Sequence, residues 1–197
     1  MRAALPLVAA VALAGCGGGS DRSAGEVANL RESLRELSGK AEFAVSECSY
    51  ETGAACPALP APGSCQLNGS LPDPRCTPGA LNPAVSQDSL ETTLCRPGGY
   101  TDSVRPPRSY TDALKPRFMA AYGVEAEPIH DYELDHLIPL GLGGAAADPR
   151  NLWPEPEFGP DSAAEKNDLA GELNQAVCAG EIGLAASQRE LLGWADR

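Results

Sequence analysis

The chain predicts an α+β fold: a small globular body built on a strand, a Gly-rich loop, a second strand and a helix, preceded by a short helical stalk and a disulfide-rich loop region. Three observations predict it. Tyr132 to Ile138 alternates as a strand does and is stopped by Pro139 and the glycines Gly141, Gly143 and Gly144, with a second, very short strand at Asn151 to Trp153. Leu169, Leu173 and Val177 then recur at helical steps of four within Ser162 to Cys178, before a stop at Gly180. Finally, the chain has seven cysteines, and setting aside the one that closes its leader leaves an even set, as disulfides require.

The leader is residues 1–15. A single cation, Arg2, precedes an apolar and small-residue run from Ala3 to Val11, which is too short to span a bilayer. The ending Leu13-Ala14-Gly15-Cys16 resembles the lipobox of bacterial lipoproteins. That resemblance implies cleavage before Cys16, lipid on its thiol, and an exported, membrane-anchored protein facing the periplasm or cell exterior. In residues 16–47 a Gly-Gly-Gly-Ser leash is followed by Val27, Leu30, Leu34 and Leu37, the stripe of one short amphipathic helix. A stalk fits it better than a dimer seam, because a coiled coil needs several heptads.

Residues 48–80 are dense in Cys, Pro, Gly and Ser and lack periodicity, so a loop region ordered by cross-links is expected there rather than a core. Globular sequence occupies 81–197. Tyr100 to Val104 reads as a short strand and Tyr110 to Tyr122 as a helix capped by Ser109 or Thr111 and ended by Gly123; a last helix runs from about Leu184 to Trp194. Six cysteines permit many connectivities. The expected pairing is Cys95 with Cys178, joining the entry of the globular part to the end of its long helix, which leaves Cys48, Cys56, Cys65 and Cys76 to pair among themselves. No CxxC spacing is present to suggest structural zinc.

Asp135-His136-Leu137-Ile138-Pro139-Leu140, then Gly143-Gly144, Asn151-Leu152-Trp153-Pro154-Glu155-Pro156 and Lys166-Asn167, resembles the HNH (His-Me finger, ββα-metal) nucleases, and more narrowly an HNH-like group of exported bacterial proteins. The likeness continues upstream through Leu81-Asn82-Pro83, Cys95 and Tyr110 to Lys115, covering roughly the last three-fifths of the chain. It implies a ββα-metal core with extra helices. It also implies that His136 activates water as general base, that Asn151 braces the loop presenting it, and that Asp135 and Asn167 hold one divalent cation. Oxygen ligands of this kind suit magnesium or manganese better than zinc. Asn167 stands where the family more often has His.

The chemistry asks for such groups. Hydrolysing a phosphodiester needs a base and a cation, and an imidazole of unperturbed pKa about 6.5 is the natural base near neutrality. With only His130 and His136 present, a multi-histidine metal site is excluded. Simpler roles stand beside these. On a regular strand Leu134, His136 and Ile138 share a face, which would make His136 a core histidine; Asp135 and His136 address one site only if the strand ends there. Asn151 is equally a turn-bonding residue, Asn167 a solvated one, and Glu133, Glu155, Asp161 and Asp168 solvated acids or extra ligands. His130 reads as a surface residue at the strand's entrance and Trp153 as a core residue.

A net charge of −12 repels polyanions at long range. Against it stands a basic island, Arg96 to Arg117, whose Arg105, Arg108, Lys115 and Arg117 would contact phosphate if they fold beside His136, and otherwise form an ordinary charged face. Three functions follow. One is an envelope-anchored endonuclease acting on DNA or RNA; the second is a catalytically inactive HNH-like lipoprotein that binds or scaffolds; the third, a toxin-like nuclease used against competitors, is argued against by the lipid anchor on its own chain.

Overall fold

Proline and glycine punctuate this chain so densely that its regular elements are short. A computed structural model describes residues 43–194. The leader, Cys16, the leash and the Val27 to Leu37 helix lie outside the described residues. Strands β1 (Ala44–Val45) and β2 (Ala80–Leu81) pair in parallel. Helices α1 (Thr101–Val104) and α2 (Arg108–Ala121) follow, then β3 (Tyr132–His136) and β4 (Leu152–Pro156), and last α3 (Ala163–Cys178) and α4 (Leu184–Leu191). The described residues are thus mixed α+β with two small sheets.

β3 and β4 are antiparallel in register from Tyr132 opposite Pro156 to His136 opposite Leu152. Alternation gives the hairpin two faces. Glu133, Asp135, Trp153 and Glu155 share one, and Leu134 and His136 the other. The hairpin, α2, α3 and α4 enclose one core in which Phe118, Leu134, Leu152, Trp153, Leu169, Leu173 and Leu191 are buried together. Leu169, Leu173 and Val177 are all buried along α3, so the step of four in the sequence does mark its inner face. A second apolar cluster, Val85, Leu90, Leu94, Tyr100, Val177 and Leu184, surrounds the end of that helix.

Three expectations are corrected. Tyr100 to Val104 is not a strand: it is a helical turn, with Ser103 Oγ donating to the Tyr100 carbonyl at 2.6 Å and the Arg105 amide to Thr101 at 2.9 Å. The six residues between Gly99 and Pro106 meet no neighbouring strand, so local bonds decide their conformation. α2 starts earlier than expected, with Pro107 rather than Ser109 or Thr111 at its cap, since the ring's fixed φ suits a helix start. The cysteine-rich segment also contributes to the core: Cys65 is buried, with Leu59, Leu67 and Leu71 packed against the same cluster, and Thr77 Oγ1 bonds the Tyr122 hydroxyl at 2.7 Å.

The disulfides are Cys48–Cys56, Cys65–Cys76 and Cys95–Cys178. Cys95–Cys178 is the expected bond, the other four cysteines pair among themselves as expected in a pairing the sequence left open, and three such bonds belong to an oxidising, extracytoplasmic setting. Among the described residues no helix is long and apolar enough to cross a membrane.

Candidate functional site

β3 stops at His136 because the Ile138-Pro139 step turns the chain into a short 3-10 turn, Leu140–Leu142, closed by Gly143 at φ 82°. Gly144 follows because nothing larger fits. A Cβ there would lie 1.7 Å from the Ile138 carbonyl oxygen and 2.9 Å from Asn151 Nδ2. We expect Gly144→Ala to lower the unfolding free energy by about 3 kcal/mol, as overpacking of rigid backbone does; urea denaturation of the purified variant measures it, and an unchanged midpoint would contradict this packing.

Asn151 holds that loop from inside. Its Nδ2 donates to the Ile138 and Ala145 carbonyls, both at 3.0 Å, and its Oδ1 accepts from the Ile138 amide at 2.9 Å and the Ala80 amide at 3.4 Å. The side chain is fully buried, so one amide group joins both ends of the loop after β3 to β2.

His136 is 4 % exposed. Its Nε2 lies 3.0 Å from the Ala146 carbonyl oxygen, an acceptor only, so Nε2 carries the proton and Nδ1 is the nitrogen left with a lone pair. Nδ1 is 3.9 Å from Asp135 Oδ1. Because the strand ends here, adjacent side chains that regular alternation would separate approach each other.

Asp135 meets a partner that the sequence reading gave no role. Lys166, on α3, hydrogen-bonds Asp135 Oδ2 and donates to the His136 carbonyl at 3.0 Å, while its Nζ lies 2.9 Å from Glu155 Oε2 and 4.3 Å from the centre of the Trp153 ring. Lys166 and Glu155 are both 0 % exposed. Burial raises the Asp135 carboxyl, but the Lys166 ammonium outweighs it and holds it well below the usual carboxylate range. Burial likewise opposes charge on Lys166, and the two carboxyls more than offset it, so its pKa is raised. Glu155 is pushed up to about 9, by burial first and then by Asp135. Both Glu155 oxygens lack a hydrogen-bond partner, for the 2.9 Å approach of Lys166 is close but misaligned; distance places the charge, alignment decides the bond.

The other candidates lie elsewhere. Asn167 is exposed, one helical step round from Lys166, and is not brought to Asp135. Asp161 and Asp168 line an acidic cavity with Glu165, Glu172 and Trp194. Glu133 is half-buried, its carboxyl raised by burial and by Asp135. Arg105, Arg108 and Arg117 are exposed and Lys115 partly so; Arg105 acts on Glu133, and Arg117 lines an apolar groove with Leu59, Pro60 and Pro62. None is hydrogen-bonded or ion-paired to His136. His130 is exposed beside Asp131.

The Asp135 and Asn167 pair does not fit one divalent cation in this arrangement, since an ammonium already fills the place at Asp135 Oδ2. Among the described residues no group of three or more His, Cys, Asp or Glu side chains is gathered to hold a metal. Lys166 was legible in principle. It lies three residues before Leu169 and so extends the apolar stripe of α3, an unusual place for a lysine without a buried partner.

The fold and site define a disulfide-linked α+β protein with a braced histidine loop and a buried Lys-Asp-Glu cluster. Comparison with protein-family models, with curated proteins and with solved structures finds no match.

Proposed function

We propose that this chain is an envelope-anchored HNH-like endonuclease, tethered through lipid on Cys16, that hydrolyses nucleic-acid phosphodiesters with His136 as general base. The observation that carries this reading is the His136 ring: with Nε2–H given to the Ala146 carbonyl, Nδ1 is the nitrogen able to take a proton from water. As Nδ1 is protonated, the Ala146 carbonyl dipole supports the charge on the ring, and Asn151 fixes the loop that supplies that carbonyl's neighbours. Arg105, Arg108, Lys115 and Arg117 are the cations available to DNA or RNA. A magnesium or manganese ion belongs to the family resemblance; since Asp135 and Asn167 do not fit it here, no step is drawn through it.

A second reading, an inactive binding or scaffolding lipoprotein, is favoured by one specific observation. Lys166 engages the carboxylate that a metal would need, and His136 is almost enclosed. One experiment separates the two. The purified chain is incubated with plasmid and with RNA under magnesium, manganese or EDTA, beside His136→Ala. The endonuclease reading expects cleavage that falls at least about a hundredfold in the variant, the least that loss of a general base costs. Wild type inert on every substrate, with His136→Ala merely less stable, would leave the scaffold.

A further inference from the structure

Lys166, Asp135 and Glu155 come from three elements, α3, β3 and β4, and meet at a largely buried point: Lys166 and Glu155 are fully enclosed and the Asp135 side chain is 13 % exposed. Each alone would be costly to bury. Together they hold an amine and a carboxyl in contact, with a second carboxyl beside them whose own oxygens are otherwise unpartnered. We propose that Lys166 and Asp135 condense into an intramolecular amide that joins α3 to β3, with the Glu155 carboxyl as proton shuttle.

The step balances without any co-reactant. The ammonium of Lys166 passes a proton along its bond to Asp135, and the freed Nζ lone pair attacks Asp135 Cγ. One N–C bond forms and one Cγ–O bond breaks. The departing oxygen leaves as water with two of the three ammonium protons, and the third stays on the amide nitrogen. Glu155 gives its proton to the oxygen of the tetrahedral intermediate and takes one back from nitrogen, ending as it began. Glu155 Oε2 lies 2.9 Å from Lys166 Nζ, close enough to exchange a proton with it directly.

Geometry supplies the rate and the direction. Groups held together and turned into a near-attack orientation reach effective molarities of about 10⁵–10⁸ M, and the bond from Nζ to Asp135 Oδ2 already holds the two together. Trp153 covers Nζ and the His136 carbonyl fixes it, so the amine has no exposed rotamer to escape to. Condensation replaces two buried charges by one neutral amide, which removes their desolvation cost. α3 would then be pinned covalently at both ends, by this amide and by Cys95–Cys178. The inference stands apart from the endonuclease reading, which assigns no step to Lys166, Glu155 or the Asp135 carboxylate.

The test is a tryptic map of the full-length chain, purified folded, then reduced and alkylated. Cross-linked protein yields Phe118–Arg150 joined to Asn151–Arg189, uncleaved at Lys166 and one water lighter than the two peptides summed. Glu155→Gln should keep the near-UV circular dichroism of the wild type and release Asn151–Lys166 as a free peptide. Lys166→Arg should lose the cross-linked species altogether. Quantitative release of free Asn151–Lys166 from folded wild type overturns the proposal, and an undiminished cross-link in Glu155→Gln overturns the shuttle. Nuclease activity with or without the cross-link bears on neither outcome.

Discussion

Lys166→Met is expected to lower the free energy of unfolding by about 3–5 kcal/mol, the cost of removing one partner from a buried ion pair. The variant keeps the volume and the apolar stem that packs beside Trp153, so the loss is not a cavity effect; against cross-linked wild type it includes the lost amide as well as the orphaned charge. What remains is Asp135, buried, with His136 Nδ1 at 3.9 Å and no cation against Oδ2. Pairing Lys166→Met with Asp135→Leu should recover much of the loss, because the double variant leaves no orphaned charge. It also lacks any Lys166–Asp135 cross-link, so the difference between single and double variants reports the charge alone. Urea denaturation of the three proteins gives the cycle. A single-variant loss below about 1 kcal/mol would mean that Asp135 reaches water, as exposed pairs do.

Replacing Cys95 and Cys178 together by serine should cost about 4–5 kcal/mol, whereas losing Cys48–Cys56 should cost only about 2–3 kcal/mol. The two bonds differ in the chain they close, with sequence separations of 83 and 8. Loop-closure entropy taken from the unfolded chain grows with that length. Cys95–Cys178 also sits against the second apolar cluster, where Val177 and Leu184 meet Leu90 and Leu94, and it ties that cluster to the end of α3. Guanidinium melts of the two double variants measure the contrast. Equal losses would assign the stabilisation to native-state contacts around the sulfurs instead of the unfolded chain.

The sequence by itself determined where α3 lies and which face it buries, because Leu169, Leu173 and Val177 recur at steps of four through a segment too long for an ordinary strand and stopped by Gly180, and no partner is needed to see it. It showed that a strand stops before Pro139 and the glycines, which act through their own backbone, although the strand expected to reach Ile138 ends at His136; Gly144 there tolerates no Cβ. An even cysteine set in an exported-looking chain pointed to the three bonds the structure contains. Tertiary structure alone decided which polar residues are inside. Lys166 and Asn167 are neighbours in sequence, but a helix turns about 100° between them, and that rotation sends one to Asp135 and the other to solvent. Glu155 reads as an ordinary surface acid until β3 places Asp135 on the same face of the hairpin and α3 brings Lys166 over both. Cys65 reads as part of a loop until the core closes over it. Burial of a charge depends on partners that arrive from residues as far as 31 positions away, and no local pattern contains them.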